Sequence, residues 1–227
     1  MFIVIFEVQP KKERRSDYLE LAKQLKPKLE ATEGFIDNER FDSKRTAGRV
    51  LSLSTWRDEK AVVRWRTQGE HHRVQEQGRF AVFEDYHLRV GEITADSVPP
   101  KGVAIEEKRF DETEIGPAKS CTIIEASRHG ETDAGPAPAQ ALERLQLDAH
   151  ADGLVDHEIF ESLYNAGKLA ILASWRDASA ARAWRPVPFD GVGQIRHRHV
   201  RIIRDYGMFD RREAPQFYPA VVKAARG

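Results

Sequence analysis

The chain has 227 residues, 41% of them hydrophobic, which suits one large domain or two of about 100 residues each. Lys plus Arg and Asp plus Glu both number 36, so no net basic field exists to hold a phosphate backbone, and nucleic acid is set aside as a partner. The one cysteine, Cys121 in "CTIIEA", excludes an intrachain disulfide framework or a multi-thiolate metal centre and reads as a small buried hydrophobe.

"MFIVIFEV" is apolar but lacks a positive n-region and a small-residue cleavage site, so it reads as a strand. No apolar run approaches the roughly 18 residues that span a bilayer as a helix, and a cytoplasmic protein away from membranes is expected. Tyr18, Leu21, Ala22, Leu25 and Leu29 then share one helical face, with Ser16 as a candidate cap and Pro27 predicting a kink or an early end. The strands "GFIDNERF" and "RVLSLSTW" flank "DSKRTAG", whose Ala-Gly ending suits a left-handed turn position. "RDEKAVVRW" starts a second helix with Asp58 as N-cap, and "DYHLRVGEI" closes the unit as a strand.

The same series then recurs. Residues 34–66 and 153–185 agree at 14 of 33 positions at a fixed offset of 119, among them the pairs Trp56/Trp175 and Trp65/Trp184, which marks a duplication. In the second copy "CTIIEA" is the first strand, and Gly and Pro in "TDAGPAPAQALERLQLDA" delay its helix to about Pro138. "GLVDHEIF" and "KLAILASW" surround "ESLYNAG", "RDASAARAW" starts a helix capped by Asp177, and "IRHRHVRII" ends the unit. Trp65 precedes His87 by 22 residues, but Trp184 precedes His197 by only 13. The second copy has therefore lost the helix-forming "GEHHRVQEQGR", which "RPVPFDGVGQ" replaces, and chemistry carried by that segment belongs to the first copy.

These readings divide the chain into a first unit at 1–95, a linker at 96–118, a shortened second unit at 119–206 and a tail at 207–227. Within the linker, "VAIEEKRF" predicts an extra edge strand or a strap over the neighbouring surface, and Phe209, Phe217 and Tyr218 predict a docked tail. Each β-α-β-β-α-β unit is a ferredoxin-like α+β fold whose four-stranded antiparallel sheet is covered by helices on one face. Packing the two bare faces sheet to sheet gives an intramolecular pseudo-dimeric α+β barrel, with the second copy as the structural half that closes it.

Through "GFIDNERF", "LSLSTWRDEKAVVRWR", "EHHRVQEQGR" and "DYHLRVGEI", residues 1–95 resemble the antibiotic biosynthesis monooxygenase (ABM) domain of the dimeric α+β barrel superfamily. Residues 119–206 resemble it through "GLVDHEIF", "ILASWRD" and "RAWR". The resemblance implies, as leading expectation, a cofactor-independent monooxygenase that oxidises a small aromatic or phenolic molecule with O2. Two alternatives stand beside it: a haem-binding or haem-degrading protein with His71 or His72 as axial ligand, and a non-catalytic small-ligand or assembly module. Association of two such chains into a homodimer is also open.

In a continuous second helix, Trp65 and His72 lie seven residues apart on one face. Trp65 is then positioned to stack on a flat substrate, or to pack in the core as Trp184 would. His72 is the candidate base for a phenolic proton, with His71, about 100° round the helix, as a substrate contact. By the resemblance, Trp65 matches a Trp that haem-degrading relatives set against the macrocycle. Those relatives carry an Asn and a His where this chain has Glu7 and Gln75, which argues against their reaction. Asn38 and Tyr86 are candidate substrate contacts. Glu39, matched by Glu158, is a further one, or bonds across the pseudo-dimer, or is a structural ion pair with a partner such as Arg40, Arg64 or Arg66. His197 and His199 share a strand face without a third ligand nearby, so no metal is expected.

Overall fold

The computed structural model describes residues 1–128, 143–186 and 192–215. The first half runs β1 (Phe2–Pro10), α1 (Arg15–Glu30), β2 (Phe35–Ser43), β3 (Val50–Trp56), α2 (Glu59–Thr67), α3 (Gly69–Gln77) and β4 (Phe83–Asp96). In the second half come β5 (Ser120–Arg128), β6 (Leu154–Ser162), β7 (Leu169–Trp175), α4 (Ala178–Ala183) and β8 (Val192–Gly207). The start of the helix expected from Pro138 and the aromatic residues Phe217 and Tyr218 lie outside the described residues, while Glu143 and Arg144 are helical and a turn follows at Leu145.

All eight strands close into one antiparallel barrel in the order β1-β3-β2-β6-β7-β5-β8-β4. Each half contributes a four-stranded ferredoxin-like sheet, so the tandem α+β architecture is the one that the repeat implies. Two seams join the halves. The long one pairs β4 with β8 from His87 opposite Gly207 to Asp96 opposite Arg198; the short one pairs Phe41, Asp42 and Ser43 of β2 with Ser162, Glu161 and Phe160 of β6. Closure leaves no free edge, so "VAIEEKRF" adds no strand. It straps the barrel instead: the N–H groups of Lys108 and Arg109 donate to Glu92 at 2.8 and 2.9 Å, and Val103 and Ile105 pack on the apolar core.

The barrel interior is filled rather than hollow. Alternate residues of the strands, such as Ile3, Ile5, Leu51, Leu53, Ile123 and Phe160, interdigitate there in full burial. Cys121 is fully buried among them, 3.2 Å from Arg89 Nη1. Two ion pairs related by the repeat cap this core: Arg89 holds Glu7 at 2.5 Å, and Arg198 holds Glu125. Each guanidinium also crosses to the other half, Arg89 to Ser174 Oγ at 2.8 Å and Arg198 to Thr55 Oγ1 at 3.1 Å. Because every ionised group has its partner, such charges can sit in the core.

The short seam repeats the exchange. Glu39 accepts from Ser162 Oγ at 2.5 Å and Asn165 Nδ2 at 2.8 Å and pairs with Lys168. Glu158 pairs with Arg45 at 2.9 Å and Arg49 at 3.6 Å and bonds Ser43. The carboxylates are structural ion pairs, but their partners come from the opposite repeat and not from Arg40, Arg64 or Arg66. The β2–β3 and β6–β7 turns face each other across the pseudo-twofold axis, which brings distant basic residues nearer than sequence neighbours.

Local signals hold in most places. Gly48 and Gly167 close the two turns at φ of 81° and 76°, backbone that a side chain would strain. Asp58 and Asp177 accept from the N–H of Ala61 and Ala180, both at 2.8 Å. We expect Asp58→Ala to lower stability by about 1 kcal/mol, read as a drop in the urea midpoint with an unchanged slope. The first helix departs from expectation at both ends. A 3-10 turn over Lys12–Arg14 runs directly into it, so Ser16 already lies in its first turn and caps nothing. Pro27 removes only one N–H near the end of α1, and the helix continues to Glu30, with Ala31 N–H donating to the Pro27 carbonyl at 3.1 Å. Among the described residues, no helix is long and apolar enough to cross a membrane.

Candidate active site

Residues of the first sheet that point away from the packed barrel interior face α1, α2 and α3. A cavity of about 200 Å³ lies between them. Val4 and Phe6 of β1 with Leu88 and Val90 of β4 form an apolar floor, and Leu21, Leu25 and Leu29 of α1 form much of the roof. Toward β2 the floor turns polar: Asn38 Nδ2 donates to Ser52 Oγ at 3.1 Å and to the Leu53 carbonyl at 2.7 Å, while Arg40 Nη1 donates to Asn38 Oδ1 at 3.0 Å. Asn38 thus lines the cavity, its amide nitrogen anchored in the sheet.

The second helix is not continuous. It ends at Thr67, Gln68 adopts an extended backbone at φ −62°, ψ 128°, and α3 starts at Gly69. Thr67 turns its hydroxyl back onto the Val63 carbonyl at 2.9 Å, and the following glycine is a weak helix former. The break rotates α3 relative to α2, so His71 meets Trp65 and His72 does not. The His71 ring stacks on Trp65 at 4.1 Å and 19°, whereas His72 is exposed and does not line the cavity. This corrects the expectation for His72, which rested on a seven-residue spacing in an unbroken helix.

The His71 tautomer follows from its partner. A carbonyl only accepts, so Nδ1 carries the hydrogen that it donates to the Trp65 carbonyl at 2.9 Å. Nε2 keeps its lone pair, with the Gln75 side-chain nitrogen 3.5 Å away. Burial opposes the charged ring and holds His71 down at about 4, against the favourable bond to Trp65. It is a neutral acceptor at physiological pH. Trp65 in turn lies over Trp56 at 6.4 Å and 29°; it is half-buried and lines the cavity.

The other end of the cavity is basic. Arg79, in the π-helical turn Gly78–Val82, is only 2% exposed, and its Nη1 donates to Tyr86 Oη at 3.0 Å. From beyond β8, Arg211 Nη1 donates to the same oxygen at 2.5 Å. The register of the long seam, Leu88 opposite Tyr206 and Val90 opposite Arg204, brings Arg204 and Tyr206 into the wall as well. Burial pushes Tyr206 up to about 12, so it stays neutral. Among the described residues, five arginines line the cavity against one carboxylate, Glu59, which Arg109 engages with both oxygens at 2.7 and 2.6 Å. The second copy therefore does more than close the barrel.

The remaining sequence candidates fall elsewhere. Glu39, expected as a substrate contact, is turned to the seam and spent on Ser162, Asn165 and Lys168, because it alternates with Asn38 along β2. Glu7 points into the barrel; burial alone would raise its pKa, but Arg89 and His87 hold it down at about 2. Gln75 does line the cavity. His197 and His199 stand with ring centroids 4.4 Å apart on β8, and no group of three or more metal-ligating side chains occurs among the described residues. In the second half, Trp184 is buried against Trp175 at 6.0 Å, donates to the Leu145 carbonyl at 3.0 Å, and shares a packed cluster with Leu145 and Leu147. The matching tryptophan is a core residue there, whereas Trp65 faces the cavity. Arg79, Arg204 and Arg211 had no signal in the sequence: 125 residues separate Tyr86 from Arg211, and no spacing rule connects them.

The profile of the family described as antibiotic biosynthesis monooxygenase matches residues 1–77. A curated protein of Pyricularia oryzae named jasmonate monooxygenase ABM is 40% identical over 224 residues, covering 96% of this chain and 99% of that protein. Similar solved structures include an anthrone oxidase-like protein, 15% identical with 95% and 96% of the two chains covered and a TM-score of 0.37. A structure described as an antibiotic biosynthesis monooxygenase is 19% identical, covers 44% of this chain and 100% of its own, and also scores 0.37. Given a monooxygenase relative aligned along nearly all of the chain, and the family match on residues 1–77, the protein belongs to the antibiotic biosynthesis monooxygenase family and is an enzyme of the oxidoreductase class.

Proposed function

We propose that the protein is a cofactor-independent monooxygenase that uses O2 to oxidise a small, mostly apolar ring compound carrying a carboxylate, with jasmonate as the first candidate. The observation that carries this reading is the cavity itself. It measures about 200 Å³ and combines an apolar floor and roof with arginines at one end. The name of the Pyricularia oryzae relative, a jasmonate monooxygenase, supports the choice of candidate. In this reading Trp65, with the His71 ring stacked on it, forms an aromatic wall beside the substrate, His71 Nε2 accepts a substrate proton or hydrogen bond, and Asn38 and Tyr86 help orient the molecule.

Electron balance separates two reaction types. Oxidation of an activated CH2 to C=O by O2 releases one water and draws all four electrons from the substrate, as a phenolic substrate would allow. Hydroxylation of an unactivated C–H instead takes two electrons and two protons from an external donor, again releasing one water. The test is oxygen uptake with jasmonate and with a panel of phenols, each with and without a two-electron donor such as NADPH, and product analysis by mass spectrometry. Saturable uptake with jasmonate in the absence of a donor, and a product that has gained one oxygen and lost two hydrogens, are expected; uptake that requires the donor would remove the cofactor-independent reading. Uptake with phenols alone would return the reading to the aromatic substrates that the sequence suggests. Saturable hemin binding, with a Soret shift lost in His71→Ala, would return it to haem.

A further inference from the structure

We infer that Arg40 of β2 receives the acid group of the substrate, and that Tyr18 of α1 and Tyr164 of the second repeat hold its guanidinium in place for that role. The inference rests on the reading that the cavity is the substrate site, and extends it to the residue that selects the substrate.

Arg40 is a half-buried cation in the cavity wall. Among the described residues, the groups that engage its guanidinium are all neutral. Nη1 donates to Asn38 Oδ1 at 3.0 Å and to Tyr164 Oη at 3.4 Å, Tyr18 shares a hydrogen bond with it from α1, and Nε has no acceptor. Asp42, the next residue on this face of β2, is held instead by Arg15 at 2.6 and 2.8 Å. Glu39 points the other way, into the seam. Burial opposes the charge on Arg40, but the two tyrosines outweigh it and keep the guanidinium protonated. In the barrel core the buried arginines Arg89 and Arg198 each face a carboxylate. A cation held only by neutral acceptors gains more from a charged one, because a charge-assisted hydrogen bond is roughly twice as strong as a neutral one. A substrate carboxylate supplies that acceptor, and the long bond to Tyr164 is the one that it displaces.

The second repeat helps to place this arginine. The Leu163 N–H donates to the Arg40 carbonyl at 2.9 Å, and Ser162 Oγ accepts from the N–H groups of Tyr164 and Asn165 at 3.1 and 3.0 Å, so the β6–β7 turn is fixed against β2. Across the floor of the cavity, Arg40 lies opposite Ser52 and Ser52 opposite Phe6. Trp65 packs in the cluster containing Phe2, Trp56 and Val90. Phe2 and Phe6 are four residues apart on β1, about 13 Å of strand, so an acid group held at Arg40 leaves the rest of the molecule to reach Trp65 and His71.

The test compares jasmonic acid with its methyl ester, which differ in charge and little in shape. Binding is read by quenching of tryptophan fluorescence at fixed ionic strength, on the full chain and on Arg40→Gln and Arg40→Lys, with a thermal melt of each to confirm folding. The wild type is expected to bind the acid about tenfold or more tightly than the ester, and Arg40→Gln to weaken the acid by about ten- to a hundredfold and the ester little. Arg40→Lys keeps the charge without the planar fork and should lose about three- to tenfold for the acid alone. Equal binding of acid and ester by the wild type overturns the assignment, as does equal weakening of both in Arg40→Gln. A preference for the acid that survives in Arg40→Gln gives the acid group to another cation and overturns it too. If Arg40→Gln does not fold, Arg40→Lys decides, and acid binding equal to the wild type there overturns the role of Arg40. Discrimination that depends on Arg40 without oxygen uptake leaves the assignment standing and removes the enzymatic reading. Oxygen uptake with no preference for the acid does the reverse.

Discussion

His71→Ala is expected to lower turnover by about 100-fold or more, whereas His72→Ala should stay within about twofold of the wild type. The adjacent histidines differ because the backbone break at Gln68 stacks one on Trp65 and leaves the other exposed. The pH profile separates a proton-accepting role from a packing role. The folded pKa of His71 lies at about 4, below its ordinary 6.5, so the acceptor is lost as pH falls through about 4, and the acid limb of kcat/KM should lie there. The same depression means that its contribution to stability is fully present above 6.5 and is lost as pH falls toward 4. Steady-state oxygen uptake from pH 4 to 8, paired with melts over the same range, reads both. An unchanged rate in His71→Ala would remove the residue from the reaction.

Arg89→Ala is expected to destabilise the fold by about 3–5 kcal/mol, because it leaves a buried carboxylate without its hydrogen-bonded counterion. Glu7 is 6% exposed and Arg89 is 3% exposed. The other cations near Glu7 stand farther away, His87 at 3.6 Å and Arg49 at 3.9 Å. The variant also deprives Ser174 of its donor. Glu7→Gln combined with Arg89→Met should recover most of the loss, since removing both charges also removes the cost of burying them. Urea unfolding of the two single variants and the double variant closes the cycle; a single-variant loss below about 1 kcal/mol would contradict the account.

The pH dependence of this barrel end follows from opposite shifts. Glu7, with its pKa lowered from 4.5 to about 2, contributes stability that is full above 4.5 and lost as pH falls through about 2. For His87, burial opposes the charge, but the bonds to Asp205 and Glu7 outweigh it and raise the pKa. Its contribution is full below 6.5 and is lost as pH rises through the raised value. Both are complete only between about pH 4.5 and 6.5. The register places Arg196, opposite Glu125, at the matching position of the second half. Arg196 stays charged and holds Asp96 at 2.7 Å, so this position has no counterpart of the His87 titration.

The duplication, the strands, the turn glycines and the aspartate caps were legible in the sequence, because each depends on residues a few positions apart: β-branched alternation, a positive φ, a carboxylate three residues before an amide. The pseudo-dimeric barrel follows from them, since two sheets each with one bare apolar face have a single economical way to bury both. Trp65 and the neighbourhood of His71 were legible too, but not which histidine turns inward. That choice hangs on one extended residue, Gln68, whose backbone a helical pattern does not reveal. Tertiary structure alone placed the cavity outside the barrel, because packing fills the interior with Ile3, Ile5, Leu53 and Phe160 and leaves the space under the helices. It alone also joined Glu39 to Lys168 and gathered Arg79, Tyr86 and Arg211. Those contacts cross between repeats, and their partners are chosen by strand register and barrel closure, which act at distances along the chain that no local pattern encodes.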